Sequence, residues 1–341
     1  MKPTSKTKAT LFIISKLNMI AGTNISSRSV STLFKAIRTL VLVILFSAGV
    51  VADTKADRHG VTGLHVVPSP FISNSSLDAA AVIADNDIWA VGLIGAGSGP
   101  FQTLAEHFDG TSWSVVSTPS GNAAFFGVAG AASNDVWAVG SVNPFMLSSE
   151  NTLIEHWDGT SWSVVSSPAF SGVSGPTGVS ADSSTDVWAI GDLTGGGTTS
   201  LHWNGQTWSQ IPTAPLRFGG VSAVAALSPT NVWAVGTGPG APHPAGVIEH
   251  WDGTSWSVVP SPNPFPNVNT LDAVAAASAN DIDAFGDSPL GPFSEHWNGT
   301  QWSIINTPSG VARMIGATAI SDGTVVAVGQ GTNGSAVILH N

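Results

Sequence analysis

The sequence predicts an all-β fold, a six-bladed β-propeller of four-stranded antiparallel blades that is closed by an N-terminal strand completing the last blade. Three observations support this prediction. A strand motif recurs six times, an Asp-Gly or Asn-Gly pair follows five of the copies, and one outer-strand motif stands ahead of the first copy. Repeats of roughly 40–50 residues, each with four strands, are typical of propeller blades.

The repeat is clearest in a motif that first appears as Asp87-Ile-Trp-Ala-Val-Gly92. Measured at the third position, successive copies are 48, 51, 45, 50 and 43 residues apart, at Trp89, Trp137, Trp188, Trp233, Asp283 and Val326. We assign this motif to the second strand of each blade, strand B. The run of small residues before it is assigned to the innermost strand A, because bulky side chains would collide where strands converge on the axis.

A second motif follows each of the first five copies, first as His107-Phe-Asp-Gly-Thr-Ser-Trp113. Asp-Gly or Asn-Gly between β-rich runs is a strong hairpin signal, because a two-residue type I′ turn requires positive φ at both positions. The motif therefore predicts the outer strands C and D. Asn replaces Asp in two copies, so Asp109, Asp158 and Asp252 are interpreted as turn formers and not as catalytic acids.

The two ends of the repeat region predict how the ring closes. The last repeat stops inside strand C at Asn341, whereas Leu64-His-Val-Val-Pro-Ser-Pro70 matches Trp256-Ser-Val-Val-Pro-Ser-Pro262. We expect residues 64–70 to form the missing outermost strand and so to remove a free sheet edge. The predicted organisation is a signal peptide or N-terminal anchor at 1–52, a linker at 53–62 and the propeller at 63–341.

Charge is distributed unevenly along the chain. Seven of the 11 basic residues precede residue 53, and all 22 acidic residues lie at or after Asp53, so the later part carries a formal net charge of −18. This charge disfavours nucleic acid and anionic lipid as partners. The basic N-terminal segment, the apolar run from Leu40 and the small residues before Asp53 are typical of a secretory signal peptide. We predict a secreted or cell-envelope protein, with membrane contact only through an uncleaved segment.

The repeated hairpin motif, for example His156-Trp-Asp-Gly-Thr-Ser-Trp162, resembles the Asp-box of bacterial-neuraminidase repeats, which lies between the third and fourth strands of a blade. The resemblance covers residues 63–341, although the motif here is one residue shorter between Asp and Gly. It implies a propeller of the sialidase type. That family uses an arginine triad and a tyrosine nucleophile, and this region has two arginines and no tyrosine, so the resemblance does not extend to the catalytic residues.

Departures from the repeat are the better candidates for function. The B–C loops and the connections between blades share one face of a propeller, the loop face, and the A–B and C–D turns share the other, the turn face. Exposed aromatic rings and guanidinium groups can hold a sugar or an acidic group. The loop-face candidates are Arg217, Arg313, Phe145, Phe218, Phe265 and His243.

Blade five departs from the repeat at strand B, where Asp283 replaces tryptophan. Asp281, Asp283 and Asp287 are therefore candidate calcium ligands, and no other cofactor is expected. The repeated histidines are expected to tie strand C to a neighbouring turn. The glutamates beside them, Glu106, Glu155, Glu249 and Glu295, give way to leucine in two blades and are expected to be partly exposed.

These observations favour an exported, monomeric, non-catalytic binding module whose ligand is a glycan or a protein. Two alternatives stay open. One is a hydrolase or metal-dependent enzyme built on a propeller, and the other is a structural assembly factor of the cell envelope.

Overall fold

The computed structural model describes residues 69–70, 72–84, 86–95, 100–143, 152–168, 173–193, 197–214, 220–238, 243–265, 268–319, 324–332 and 336–340. All regular elements in these ranges are β-strands. No helix among them is long and apolar enough to span a membrane.

The strands form six antiparallel sheets in chain order, which confirms the six-bladed propeller. Blade one contains β1 (Ser75–Ala84), β2 (Asp87–Ile94), β3 (Gln102–Phe108) and β4 (Trp113–Val116); blade two contains β5 (Ala123–Ala132), β6 (Asp135–Val142), β7 (Thr152–Trp157) and β8 (Trp162–Val164); blade three contains β9 (Val173–Ser183), β10 (Asp186–Leu193), β11 (Thr198–Trp203) and β12 (Trp208–Ile211). Blade four contains β13 (Gly220–Ser228), β14 (Asn231–Gly238), β15 (Ala245–Trp251) and β16 (Trp256–Val259); blade five contains β17 (Thr270–Ser278), β18 (Asp281–Ser288), β19 (Gly291–Trp297) and β20 (Trp302–Ile305); blade six contains β21 (Val311–Ala319), β22 (Val325–Gly331) and β23 (Ala336–His340).

Within each sheet the strands pair in the predicted order A, B, C, D, and the first strand of each blade packs against the first strand of the next. Blade six has three strands in the described part of the chain, as its truncated repeat predicts. The strand predicted to complete it falls on residues 64–70, of which 64–68 lie outside the described residues. Closure of the ring by this strand therefore stays a prediction.

The hydrophobic core lies between neighbouring blades. Trp89 of blade one packs against Trp157 and Trp162 of blade two, with ring centroids 4.9 and 5.2 Å apart. The same three-tryptophan cluster recurs at the next three interfaces. Because large aromatic rings bury much apolar area, these clusters hold the blades together. Trp89 is fully buried, so the strand B tryptophans are packing residues of these interfaces.

A β-bulge in strand A explains the invariant glycine at the sixth position of the strand B motif. In blade two the register shifts between Phe125 and Gly127, opposite Gly140. A Cβ atom on Gly140 would lie 2.0 Å from the carbonyl oxygen of Ala124, so no side chain fits there.

The C–D hairpin differs from the two-residue type I′ turn predicted from Asp-Gly. Strands β3 and β4 are joined by the four residues 109–112, and Gly110 has a φ of 91°. The carboxylate of Asp109 accepts hydrogen bonds from the backbone N–H groups of Thr111 and Ser112, at 2.8 and 2.9 Å. Because the side chain supplies these turn bonds, only the glycine needs a positive φ.

In blades one to five, the C–D turn rests on the A–B turn of the same blade. A Cβ atom on Gly110 would lie 2.6 Å from Cβ of Asn86, and the glycines at 159, 205, 253 and 299 meet the residues at 134, 185, 230 and 280 in the same way. Both kinds of turn therefore lie on one face, as predicted, and the loop face is the other.

Candidate functional site

On the turn face, the repeated histidines bind side chains of their own blade. Nε2 of His156 lies 2.8 Å from Oδ1 of Asp135, the residue that begins strand B after the A–B turn. The indole N–H of Trp137 donates to the same oxygen at 2.9 Å, and His156 packs on its ring. Equivalent pairs are His107 with Asp87, His202 with Asp186 and His250 with Asn231. The predicted role of these histidines, tying strand C to a turn, is confirmed.

Blade five breaks this pattern because Asp283 stands where the tryptophan ring would lie. His296 turns its Nδ1 toward Oδ1 of Asp283, at 2.8 Å, and lies 3.8 Å from Oδ1 of Asp281. Each of these three side chains offers one atom that could bind a metal ion, and these atoms lie within 4.8 Å of one another. Burial raises the pKa of Asp283, and its hydrogen bond to His296 opposes that increase. The structure thus joins Asp281 and Asp283 with a histidine that sequence reasoning had assigned only a structural role.

Asp287 is not part of this cluster. Its Oδ2 accepts a hydrogen bond from Nε of Arg313 at 2.9 Å. A set of one imidazole and two carboxylates suits zinc or manganese better than calcium, which takes six to eight oxygen ligands. The bond between His296 and Asp283 accounts for this arrangement without an ion, as the histidine–carboxylate pairs of blades one to three show. The calcium site stays a prediction.

On the loop face, Arg313 lies within β21 and not in the connection before it, where the sequence placed it. The reason is that Gly310, with a φ of 92°, reverses the chain and lets strand A begin at Val311. Arg313 bridges from this innermost strand to Asp287 on strand B of blade five, with both side chains half-buried. The guanidinium group is therefore held in place at the border of two blades.

The other described candidates differ in their exposure. His243 is exposed just before β15. Phe265 is half-buried, meets the ring of Phe293 edge-on at 6.0 Å, and its carbonyl accepts a hydrogen bond from the side chain of Asn269 at 2.8 Å. Phe265 therefore contributes to packing between blades four and five. The candidates Phe145, Arg217 and Phe218 lie outside the described residues.

The strand C glutamates were expected to be partly exposed, and this prediction is wrong. The exposed fractions of Glu106, Glu155, Glu249 and Glu295 are 2%, 0%, 1% and 0%. Burial raises the pKa of Glu155 to about 6 and that of the other three to about 7. The leucines that replace them in two blades were the signal in the sequence, because an apolar residue at an equivalent place indicates an interior position.

No family model matches the chain, and no curated protein sequence matches it. Solved structures do resemble it. The SapL1 lectin in complex with α-methyl fucoside is 12% identical, with 78% of this chain and 91% of that chain covered and a TM-score of 0.52. YCF48 from Cyanidioschyzon merolae is 13% identical, with 79% and 96% covered and a TM-score of 0.51. At this identity the likeness shows the propeller fold alone.

Proposed function

We propose that this protein is an exported, non-catalytic propeller that binds a glycan or a protein through its loop face. The observation that carries the proposal is the difference between the two faces. On the turn face the same aspartate- or asparagine-anchored turns recur in five blades, each packed on the neighbouring A–B turn. The side chains of these turns therefore serve to hold the fold together.

The loop face carries the groups that are not repeated. Its described part includes the ion pair of Arg313 with Asp287 and the exposed imidazole of His243. A guanidinium group fixed by a carboxylate keeps further N–H donors in a rigid fork, which suits hydroxyl pairs of a sugar or an acidic group. The sequence adds Arg217 and Phe218 in the connection between blades three and four. Binding sites are commonly built on variable loops over a rigid scaffold.

The ligand-bound propellers resemble this chain in their fold alone. The SapL1 lectin structure is a complex with α-methyl fucoside. A glycan is thus a reasonable ligand to screen, and surface proteins are screened beside it. Export is supported by the signal-like segment of the sequence, and the strongly acidic propeller argues against phosphate-rich partners.

The test is binding of the purified chain to a glycan array and to surface proteins in a pull-down. Any ligand found is titrated against Arg313→Ala, His243→Ala, Arg217→Ala and Phe218→Ala, with Gln206→Ala on the turn face as the matched control. We expect at least one loop-face variant to lose about fivefold or more in affinity, as central contacts do, and the control to be unchanged. Binding that survives all four loop-face changes together, or that is lost in the turn-face control, would contradict the proposal.

A further inference from the structure

Four buried glutamates occupy equivalent places on strand C of their blades. Side chains alternate along a strand, so Glu155 shares a face of β7 with Leu153 and Trp157, which pack against Trp89 of blade one. Glu106, Glu249 and Glu295 take the same place on strand C of blades one, four and five. The carboxyl groups of Glu155, Glu249 and Glu295 therefore lie on the side of the blade that packs against the preceding one, in an interface that is otherwise mostly apolar.

These carboxyl groups have few hydrogen-bond donors. The carboxyl oxygens of Glu155 and of Glu249 are buried and make no hydrogen bond of good geometry, although Ser120 lies near Glu155 and the backbone of Ala214 near Glu249. Glu295 differs, because the hydroxyl of Ser261 lies 2.9 Å from both of its oxygens. An ionised carboxylate left without donors in an apolar interior is strongly unfavourable, whereas the neutral acid is much less so.

The ionisable groups of the facing blades do not compensate these carboxyls. The ionisable groups of the facing blades are His107 and Asp87 on blade one, His202, Asp186 and Asp182 on blade three, and His250 on blade four. His107 and His202 are paired with their own aspartates, at 2.8 and 2.7 Å, and His250 with Asn231, at 2.8 Å. No basic group of the described chain lies within ion-pair distance of any of the four glutamates.

Blades three and six show that the fold does not need a carboxyl group at this place. Leu201, at the equivalent position of blade three, is 1% exposed and packs with Trp137 and Trp208. Leu339 packs at the interface of blades five and six. Leucine packs equally well at this place. What distinguishes glutamate is that its carboxyl group can release a proton.

We propose that Glu155 and Glu249 are proton-binding sites between the blades, each neutral while its interface is closed and ionised when the interface admits water. The connections that cover them join strand D to the next strand A and so belong to the loop face. Glu155 interacts with Ser120, and Glu249 with the backbone of Ala214. Because ionisation requires water to enter these interfaces, loss of the proton is coupled to movement of the connections that cover them, whatever ligand the face binds.

The direction of the pH dependence follows from burial. The pKa is raised from 4.5 to about 6 for Glu155 and to about 7 for Glu249. Between pH 4.5 and 7 the folded chain thus holds more protons than the unfolded chain. The stabilising contribution is complete below pH 4.5 and is lost as the pH rises through 7.

The test is urea unfolding of the whole chain at several pH values from about 4.5 to 8, for the natural sequence and for Glu155→Leu with Glu249→Leu. Leucine is chosen because two blades already carry it. The unfolding equilibrium constant of the natural chain should rise faster with pH than that of the variant. Each glutamate that the variant lacks should account for a factor of up to about ten per pH unit. Parallel curves for the two chains would overturn the proposal.

Blade three provides the matched control in the opposite direction. Leu201→Glu should add a further proton-binding site and steepen the loss of stability with pH, whereas Leu201→Gln, of similar shape and without a proton to lose, should leave the slope unchanged. Equal slopes for these two variants would also overturn the proposal.

The connection over Glu155 allows a local measurement as well. Amide exchange at residues 117–122, corrected for the intrinsic effect of pH, should quicken between about pH 5 and 7.5 in the natural chain and stay constant in Glu155→Leu. The same acceleration in both chains would contradict the link between Glu155 and the loop face.

Discussion

At the scale of single residues, the stability of the scaffold depends on one oxygen shared by two donors. Oδ1 of Asp135 receives the indole N–H of Trp137, which is 2% exposed, and faces Nε2 of His156. In blade four Asn231 holds Trp233 and His250 at nearly the same distances, 2.9 and 2.8 Å. The shared feature is thus an oxygen acceptor, with or without charge.

Replacement of Asp135 tests this arrangement. Asp135→Ala leaves a buried indole N–H without an acceptor, which should reduce the free energy of unfolding by about 2 kcal/mol. Asp135→Asn keeps the acceptor, as Asn231 does, and should cost clearly less. Urea unfolding at neutral pH measures both. Equal losses for the two variants would show that charge, and not the acceptor, matters.

At the scale of elements, the C–D hairpin depends on its first turn residue. Hydrogen bonds from the side chain of Thr160 and from the backbone of Ser161 and Thr160 lower the pKa of Asp158 to about 2. Asp109 and Asp252 behave in the same way. Their stabilising contribution is therefore present above the ordinary pKa of 3.8 and is lost as the pH falls toward 2. This direction is opposite to that of the buried glutamates.

In the hairpins of blades three and five, asparagine naturally takes the place of the turn aspartate. A variant with Asp109→Asn, Asp158→Asn and Asp252→Asn keeps the acceptor oxygen but has no carboxyl group to protonate. Between about pH 4 and 2 its melting temperature should fall less than that of the natural chain. Thermal melts by circular dichroism measure this difference, and equal falls in both chains would contradict the turn role of the carboxylates.

Some features of these elements could be predicted from the sequence, and others could not. Strand order, the two faces and the histidine–turn pairs could be predicted because five blades repeat the same local environment. The turn type could not, because the aspartate side chain replaces backbone bonds that the type I′ rule assumes. The burial of Glu155 was missed because a charged residue was taken to be exposed, although Leu201 at the same position indicated an interface.

At the scale of the whole molecule, six sheets follow one another and the last has three strands in the described chain. The site candidates that depart from the repeat could be assigned to a face but not to their contacts. The pairing of Arg313 with Asp287 joins residues 26 positions apart on different blades, which no local pattern shows. The two faces belong to a ring that residues 64–70 are predicted to complete.

A disulfide cross-link tests that closure most directly, because the chain has no cysteine of its own. In blade four His250 pairs with Ser257, and the matching repeats place His340 opposite His65. His65→Cys with His340→Cys should therefore form a disulfide under mild oxidation, as His250→Cys with Ser257→Cys should in the positive control, both read by mass spectrometry of the non-reduced chain. A disulfide in the control pair with none between residues 65 and 340 would contradict the closed six-bladed ring.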